Sequence, residues 1–477
     1  MWLSLHGEGE LSRSLRSTES SLDVDLSSSS SLSLSLHLGT STCTCVAKMS
    51  RTRNLSTTCP CCAFLPDDLF LPSSVEERPS ASSVLAPDDS TCTSMASSLS
   101  QILEVPSPSD ALQHLLRQSA AEAGAGRVIT IVDTHGHPQL EREGAGTGDG
   151  DMESSCPPNL SQVSVVCAVS PDDWQSTLNY AADPSRRDTT LPALGVHPWY
   201  LYPDLSSSYL SDLESLLVQH PRAIVGEIGL CKVAKFVRQY PADLGGKSTA
   251  MELQRTVFRD QFMLAAKLRR PVSVHCVQQH GVLIKLLKEI REGALKVQMQ
   301  WKRAQKDTCK EEDALDNFDA QPAPKLADAF PTAIAMHSYT GTAHHVKELL
   351  AFEQSLVPTC TTRRNNARPS KKKKGIKEEE CALIGQDIVP PLFYFGFSHT
   401  VNVAMCSSDK SRVQNIETIR AVPMSRLLAE SDVHSTANVE SGTAGAIAYL
   451  SAATSISLID MADMTAKNAL EYLRSIG

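Results

Sequence analysis

From Arg127 onward the chain repeats one rhythm, a short apolar run followed by a helical pattern. The runs are Val128–Val132, Val163–Val169, Leu191–Val196, Ala223–Ile228, Pro271–Val277, Ala333–His337, Leu392–Phe397 and Leu427–Ser431, eight in all. Short runs of this kind, rich in β-branched residues, read as buried strands. Between them, Asp204–Gln219, Leu253–Leu268, Val282–Ile290, Ala343–Phe352 and Val413–Ile419 read as helices. In the second of these, Phe258, Phe262 and Ala265 fall at i, i+4 and i+7 and make one apolar stripe. Strand–helix alternation means a parallel sheet. Eight repeats predict an α/β fold of the TIM type, a closed (β/α)8 barrel rather than an open doubly wound sheet. No G-x-G-x-x-G follows the first run, which argues against dinucleotide binding.

The rest of the 477 residues lies in a tail and two insertions. Residues 1–108 are rich in Ser, Thr and Pro and have too little apolar surface to offset the entropy of ordering, so a disordered tail is expected. Cys43, Cys45, Cys59, Cys61 and Cys62 lie in it without finger-type spacing, and Met49 makes the first 48 residues a candidate gene-model extension. Ser109-Asp110 reads as the cap of a helix running to Ala121, ended by Gly124 and Gly126. The barrel then occupies 109–477, with charged insertions at about 292–325 and 357–390. Each insertion follows a helix and precedes a strand, which places it on the face away from the strands' carboxyl ends. The second holds the basic run Lys371 to Lys374, read as a solvated loop, an import signal or a protein contact.

The net charge of −9 argues against a generally basic nucleic-acid coat, without excluding a local site. No apolar run is long enough to span a bilayer. The 14 cysteines follow no disulfide framework, so cytoplasm or nucleus is the expected compartment.

In such barrels function sits at the carboxyl ends of the strands. Here those ends read Asp133-Thr134-His135-Gly136-His137, Gly195-Val196-His197-Pro198, Gly226-Glu227-Ile228-Gly229-Leu230, Val274-His275-Cys276, Met336-His337-Ser338-Tyr339 and Glu430-Ser431-Asp432. Side-chain alternation puts Asp133, His135 and His137 on one face. Imidazoles and carboxylates recurring at one structural level are costly to bury alone, and a shared cation removes that cost.

With these segments the chain resembles the TatD family of metal-dependent hydrolases, from about Arg127 to the carboxyl terminus and including Asn468-Ala469. The resemblance implies a TIM-type barrel with one or two divalent ions and deoxyribonuclease activity. It also implies that His135, His137 and Asp432 hold a first metal, that Glu227 bridges two metals or binds one, and that His275 and His337 complete a second site. His197 is implied to lie near the substrate phosphate. Three positions depart from the usual family pattern. Cys231 stands where Asp is usual, Val277 where Arg is frequent, and Trp199 where His is frequent.

A mixed His and carboxylate set suits Zn²⁺, Mn²⁺ or Mg²⁺. An ion lowers the pKa of water from about 15.7 to roughly 7 and offsets charge on phosphate oxygens. Asp432 is then the expected proton acceptor or, equally, a ligand only. The expected activity is a metal-dependent phosphodiesterase, a deoxyribonuclease working on DNA ends, with DNA or a nucleotide as substrate. Lys232, with Lys235, Arg238 and Lys247, sits where a phosphate backbone would pass, or forms a solvated loop. The acidic loop Glu141, Glu143, Asp149, Asp151 and Glu153 opposes that path unless it moves. Two other readings stand beside this one. One is a barrel with weak or lost catalysis that binds proteins, for instance through its inserted loops. The other is a hydrolase of non-nucleic-acid substrates.

Overall fold

The computed structural model describes residues 104–123, 128–141, 160–202, 205–308, 323–356 and 391–476. The expected tail over 1–103, the cysteine cluster, most of the acidic loop and the basic run Lys371 to Lys374 lie outside the described residues.

Eight parallel strands follow one another in sequence order around the sheet. They are β1 (Ile129–Gly136), β2 (Leu160–Cys167), β3 (Thr190–Leu194), β4 (Ile224–Cys231), β5 (Val272–Val277), β6 (Ile334–Met336), β7 (Phe393–Ser398) and β8 (Leu427–Glu430). Each matches one apolar run. The helices are α1 (Pro108–Ala123), α2 (Trp174–Ala182), α3 (Tyr209–Gln219), α4 (Lys235–Gln239), α5 (Gly246–Lys267), α6 (His280–Thr308), α7 (Ala343–Gln354), α8 (Asp409–Ala421), α9 (Val439–Thr454) and α10 (Leu458–Leu473). Among the described residues no single helix is long and apolar enough to cross a membrane.

The two-residue period of the strands sorts the core. On β7, Phe393, Phe395 and Phe397 pack outward under the helices, while Tyr394 belongs to the inner cluster with Ala193, Ala335 and Leu428. Tyr472 and Ala469 of α10 join that inner cluster. Small inward residues such as Ala335 and Ser273 leave room for the imidazoles at the mouth.

The strands β8 and β1 close the barrel by other means than a regular ladder. Asp432 N–H donates to the His135 carbonyl at 3.0 Å and His137 N–H to the Val433 carbonyl at 2.8 Å. The buried Asp133 carboxylate accepts from Ser431 N–H at 2.8 Å and from the Ser431 hydroxyl at 2.6 Å. Asp133 therefore serves this seam, and does not share a site with His135 and His137 as alternation predicts. The register shift between Asp133 and Gly136 breaks the two-residue period there.

Two other expectations shift. The first helix is capped by Ser107, whose hydroxyl accepts from Asp110 N–H at 3.2 Å, so it starts ahead of Ser109. The insertion expected from about Glu292 begins as helix, because α6 continues unbroken to Thr308. Its apolar face persists, with Ala294 still buried.

Replacing Asp133 with Ala orphans both Ser431 donors, at about 1–3 kcal/mol for each buried group left unpaired. The urea midpoint of Asp133→Ala, measured in chelator, is expected to fall clearly below wild type; an unchanged midpoint contradicts the role given to this seam.

Candidate metal centre

The strand ends deliver their polar side chains to one buried cluster around Glu227, at the carboxyl-terminal mouth of the barrel. Glu227 Oε2 lies 3.2 Å from His135 Nε2 and 3.4 Å from His137 Nε2. Its Oε1 lies 2.9 Å from His275 Nδ1, 3.1 Å from His197 Nε2 and 3.8 Å from His337 Nε2. Asp432 Oδ2 is 3.7 Å from His337 Nε2. Residues from five different strands or strand ends thus meet around one carboxylate.

Outer partners fix the rings. His135 Nδ1 lies 2.9 Å from Ser273 Oγ and 3.3 Å from Cys167 Sγ. His137 Nδ1 lies 2.7 Å from the Cys167 carbonyl, which fixes Nδ1 as the donor there and turns Nε2 inward toward Glu227. Glu430 Oε2 holds His337 Nδ1 at 3.2 Å and accepts Ser338 N–H at 2.7 Å. Gly396 is needed opposite, because a Cβ there would overlap the Glu430 carboxylate. Ser338 (φ 34°) and Asp432 (φ 50°) both sit in the left-handed region, an unfavourable conformation for residues with a Cβ.

The donor chemistry fits a divalent cation. The His135 and His137 Nε2 atoms face each other at 3.1 Å, and at most one proton can lie between them. Three donor sets have ligand atoms within 4.8 Å of one another: His135, His137 and Glu227; His135, His337 and Asp432; and His197, Glu227 and His275. Buried carboxylate charge is balanced by protons on neighbouring rings. Burial opposes charge on His275, yet Cys231 and Glu227 push it up to about 10. Burial likewise opposes charge on His337, while Asp432, Glu227 and Glu430 raise it to about 9. Burial and the His337 cation hold His135 down to about 3, and burial takes His197 to about 4. Burial disfavours the Glu227 anion, but His197, His337 and His135 keep it well below the usual carboxylate range.

The structure brings together all six residues expected to bind metal. His197, expected only near substrate, lies inside the cluster as a donor beside Glu227. Lys232, also expected at the substrate, is exposed and does not line the cavity above the cluster. Two of the three family departures touch each other, since Trp199 Nε1–H donates to Cys231 Sγ at 3.0 Å. Reading the sequence missed Ser273, Cys167, Glu430 and His434, whose ring centroid is 5.2 Å from that of His137. Ser273 lies two residues before His275 on the inward face, and Glu430 two before Asp432. That spacing is the signal that could have found Ser273 and Glu430; Cys167 on β2 carries no such signal.

The family model described as "TatD related DNase" matches residues 132–379, just over half of the chain. The chain belongs to the TatD-related DNase family. It is a TatD-type hydrolase at that level, and its Asp432 lies beyond the matched span. The chain is similar to the Cut9-interacting protein scn1 of Schizosaccharomyces pombe, 25% identical over 72% of this chain and 99% of that protein. It is also similar to the "Uncharacterized deoxyribonuclease YMR262W" of Saccharomyces cerevisiae, 26% identical over 32% of this chain and 59% of that one. A solved TatD homolog from Escherichia coli K12 aligns with 16% identity and a TM-score of 0.41, over 71% of this chain and 96% of that chain.

Because His275 and His337 carry protons at neutral pH without a cation, a dication that takes their nitrogens must displace those protons. Titrating zinc into the apo TatD-type protein near pH 7 is expected to release at least about two protons per chain, the raised His137 adding to those of His275 and His337. Calorimetry in buffers of different ionisation enthalpy reads this directly, and binding without proton release contradicts the charge balance described.

Proposed function

We propose that this TatD-family protein is a divalent-metal-dependent phosphodiesterase, a deoxyribonuclease that removes nucleotides from DNA ends. The observation that carries the reading is the convergence of His135, His137, His197, Glu227, His275, His337 and Asp432 on one buried pocket. His135, His137 and Asp432, with Glu227, are assigned to one ion. Glu227, His275 and His337 are assigned to a second, with His197 beside them. Zinc, manganese and magnesium all suit this donor set. A bound divalent ion supplies Lewis acidity and brings the pKa of water to roughly 7.

The chain's own residues then do three things. Burial opposes the Asp432 anion, but the neighbouring imidazoles of His337, His135 and His137 keep its carboxyl below the usual range, so it stays ionised. It is the acceptor for the proton of the attacking water. His337, fixed through Nδ1 by Glu430, has its Nε2 turned to the same space and would hold the second ion there. Most of the cluster's side chains are themselves buried, Glu227 and His135 almost wholly, which strengthens each of these interactions.

A second reading rests on one relative. The fission yeast protein is named for interaction with Cut9, and similarity spans nearly all of it. We infer from this a protein-binding role that can accompany or replace catalysis.

Release of nucleotides from single-stranded DNA separates the two. The metal-loaded protein is expected to release them, chelator to abolish release, and His135→Ala to lower the rate by at least about 100-fold, since even an outer partner of a ligand is worth roughly 10–100-fold. Equal rates for wild type and His135→Ala would mean that a contaminant does the cutting and would remove the nuclease assignment.

A further inference from the structure

The cavity above the metal-ligating cluster encloses about 570 Å³, the size of a small-molecule site. Among the described residues its lining contains no lysine and no arginine. Proteins that hold a nucleic-acid strand neutralise phosphates with those two residues, and most of their affinity and salt dependence comes from doing so. This wall is of another kind. Away from the cluster it presents the apolar Trp199, Val233, Val277, Val401 and Met405 together with His280 and uncharged polar groups such as Asn402 and Gln414. Two of these, Trp199 and Val277, stand where the family resemblance implies that His and Arg are frequent, so the departures make the wall more apolar.

Among the polar residues of this wall His280 is distinguished by a buried ring atom left without a partner. It opens α6 and is only 6% exposed. Its ring stacks on His345 with centroids 4.9 Å apart and planes 19° apart, and meets Tyr339 edge-on at 5.3 Å. Its Nε2 is buried and has no hydrogen-bond partner. Burial, then His345 and His275, lower its pKa to about 4, so the ring is neutral at physiological pH. A neutral imidazole with an unused edge suits an uncharged group that offers a complementary donor or acceptor.

We propose that this part of the cavity is a subsite for the uncharged heteroaromatic arm of a small phosphodiester, with His280 as its hydrogen-bonding partner. The cation-free wall then selects a short diester over a length of polynucleotide backbone. The inference rests on the phosphodiesterase reading and narrows its substrate class. A nucleoside is such an arm, packing between apolar walls while its phosphate reaches the metal-ligating cluster.

The test uses the full metal-loaded chain with thymidine 5′-(p-nitrophenyl phosphate), a single-stranded oligodeoxynucleotide and free thymidine. For the small diester, KM is expected to change less than about twofold between about 50 and 200 mM NaCl, because few or no phosphate–cation contacts are lost. Its kcat/KM is expected to exceed that for the oligonucleotide. His280→Ala is expected to raise KM for the small diester about tenfold, the loss of roughly one buried contact, with kcat and metal content unchanged. Calorimetry is expected to show saturable thymidine binding that His280→Ala weakens to a similar degree. A KM that His280→Ala leaves unchanged, or one that climbs steeply with salt, overturns the subsite. Thymidine binding that depends on His280, with neither diester hydrolysed, contradicts the phosphodiesterase reading and leaves the subsite standing.

Discussion

The structure turns on one buried carboxylate. Glu227 is 2% exposed and touches five imidazoles supplied by residues as distant in sequence as His135 and His337. An isolated carboxylate in that position would be strongly penalised. It is tolerated because two of those rings, His275 and His337, are cationic in the apo state, and a dication can take the place of their protons. The closed sheet is what makes this arrangement possible. Eight strands running the same way bring eight carboxyl ends to one rim, so single residues far apart in sequence become neighbours.

Around that centre lies a layer of less visible residues. Ser273 and Cys167 turn His135, the Cys167 carbonyl turns His137, and Glu430 turns His337. Gly396 yields the space that Glu430 occupies. The seam between β8 and β1 also borders the cluster, because the backbone hydrogen bond from Asp432 to His135 joins two segments that carry its side chains. Fold stability and donor geometry are therefore coupled at this edge of the barrel.

The strands were legible because a parallel barrel strand is buried on both sides and leaves a continuous apolar run. The ligand cluster was legible because each polar residue interrupts such a run at its end. Helix α9 left no comparable trace. It is buried nearly all round, from Val439 to Ala453, and carries Gly442 and Gly445, so it shows neither an amphipathic stripe nor strong propensity. Helix α2 spans only nine residues, Trp174–Ala182, too short for a periodic signal. The place of His197 inside the cluster was not legible either, since its distance from Glu227 depends on how β3 and β4 end. Asp133 illustrates the opposite failure. The alternation rule placed it with the ligands, and the register shift beside it sent it to Ser431.

Anomalous diffraction from crystals of the zinc-soaked protein locates any ion held by the Glu227 cluster. Density is expected at Glu227 with nitrogen and oxygen ligands from His135, His137, His275, His337 or Asp432 at about 2.0–2.2 Å. Zinc found only at other surfaces, with the Glu227 cluster holding no anomalous peak, would contradict a metal centre there.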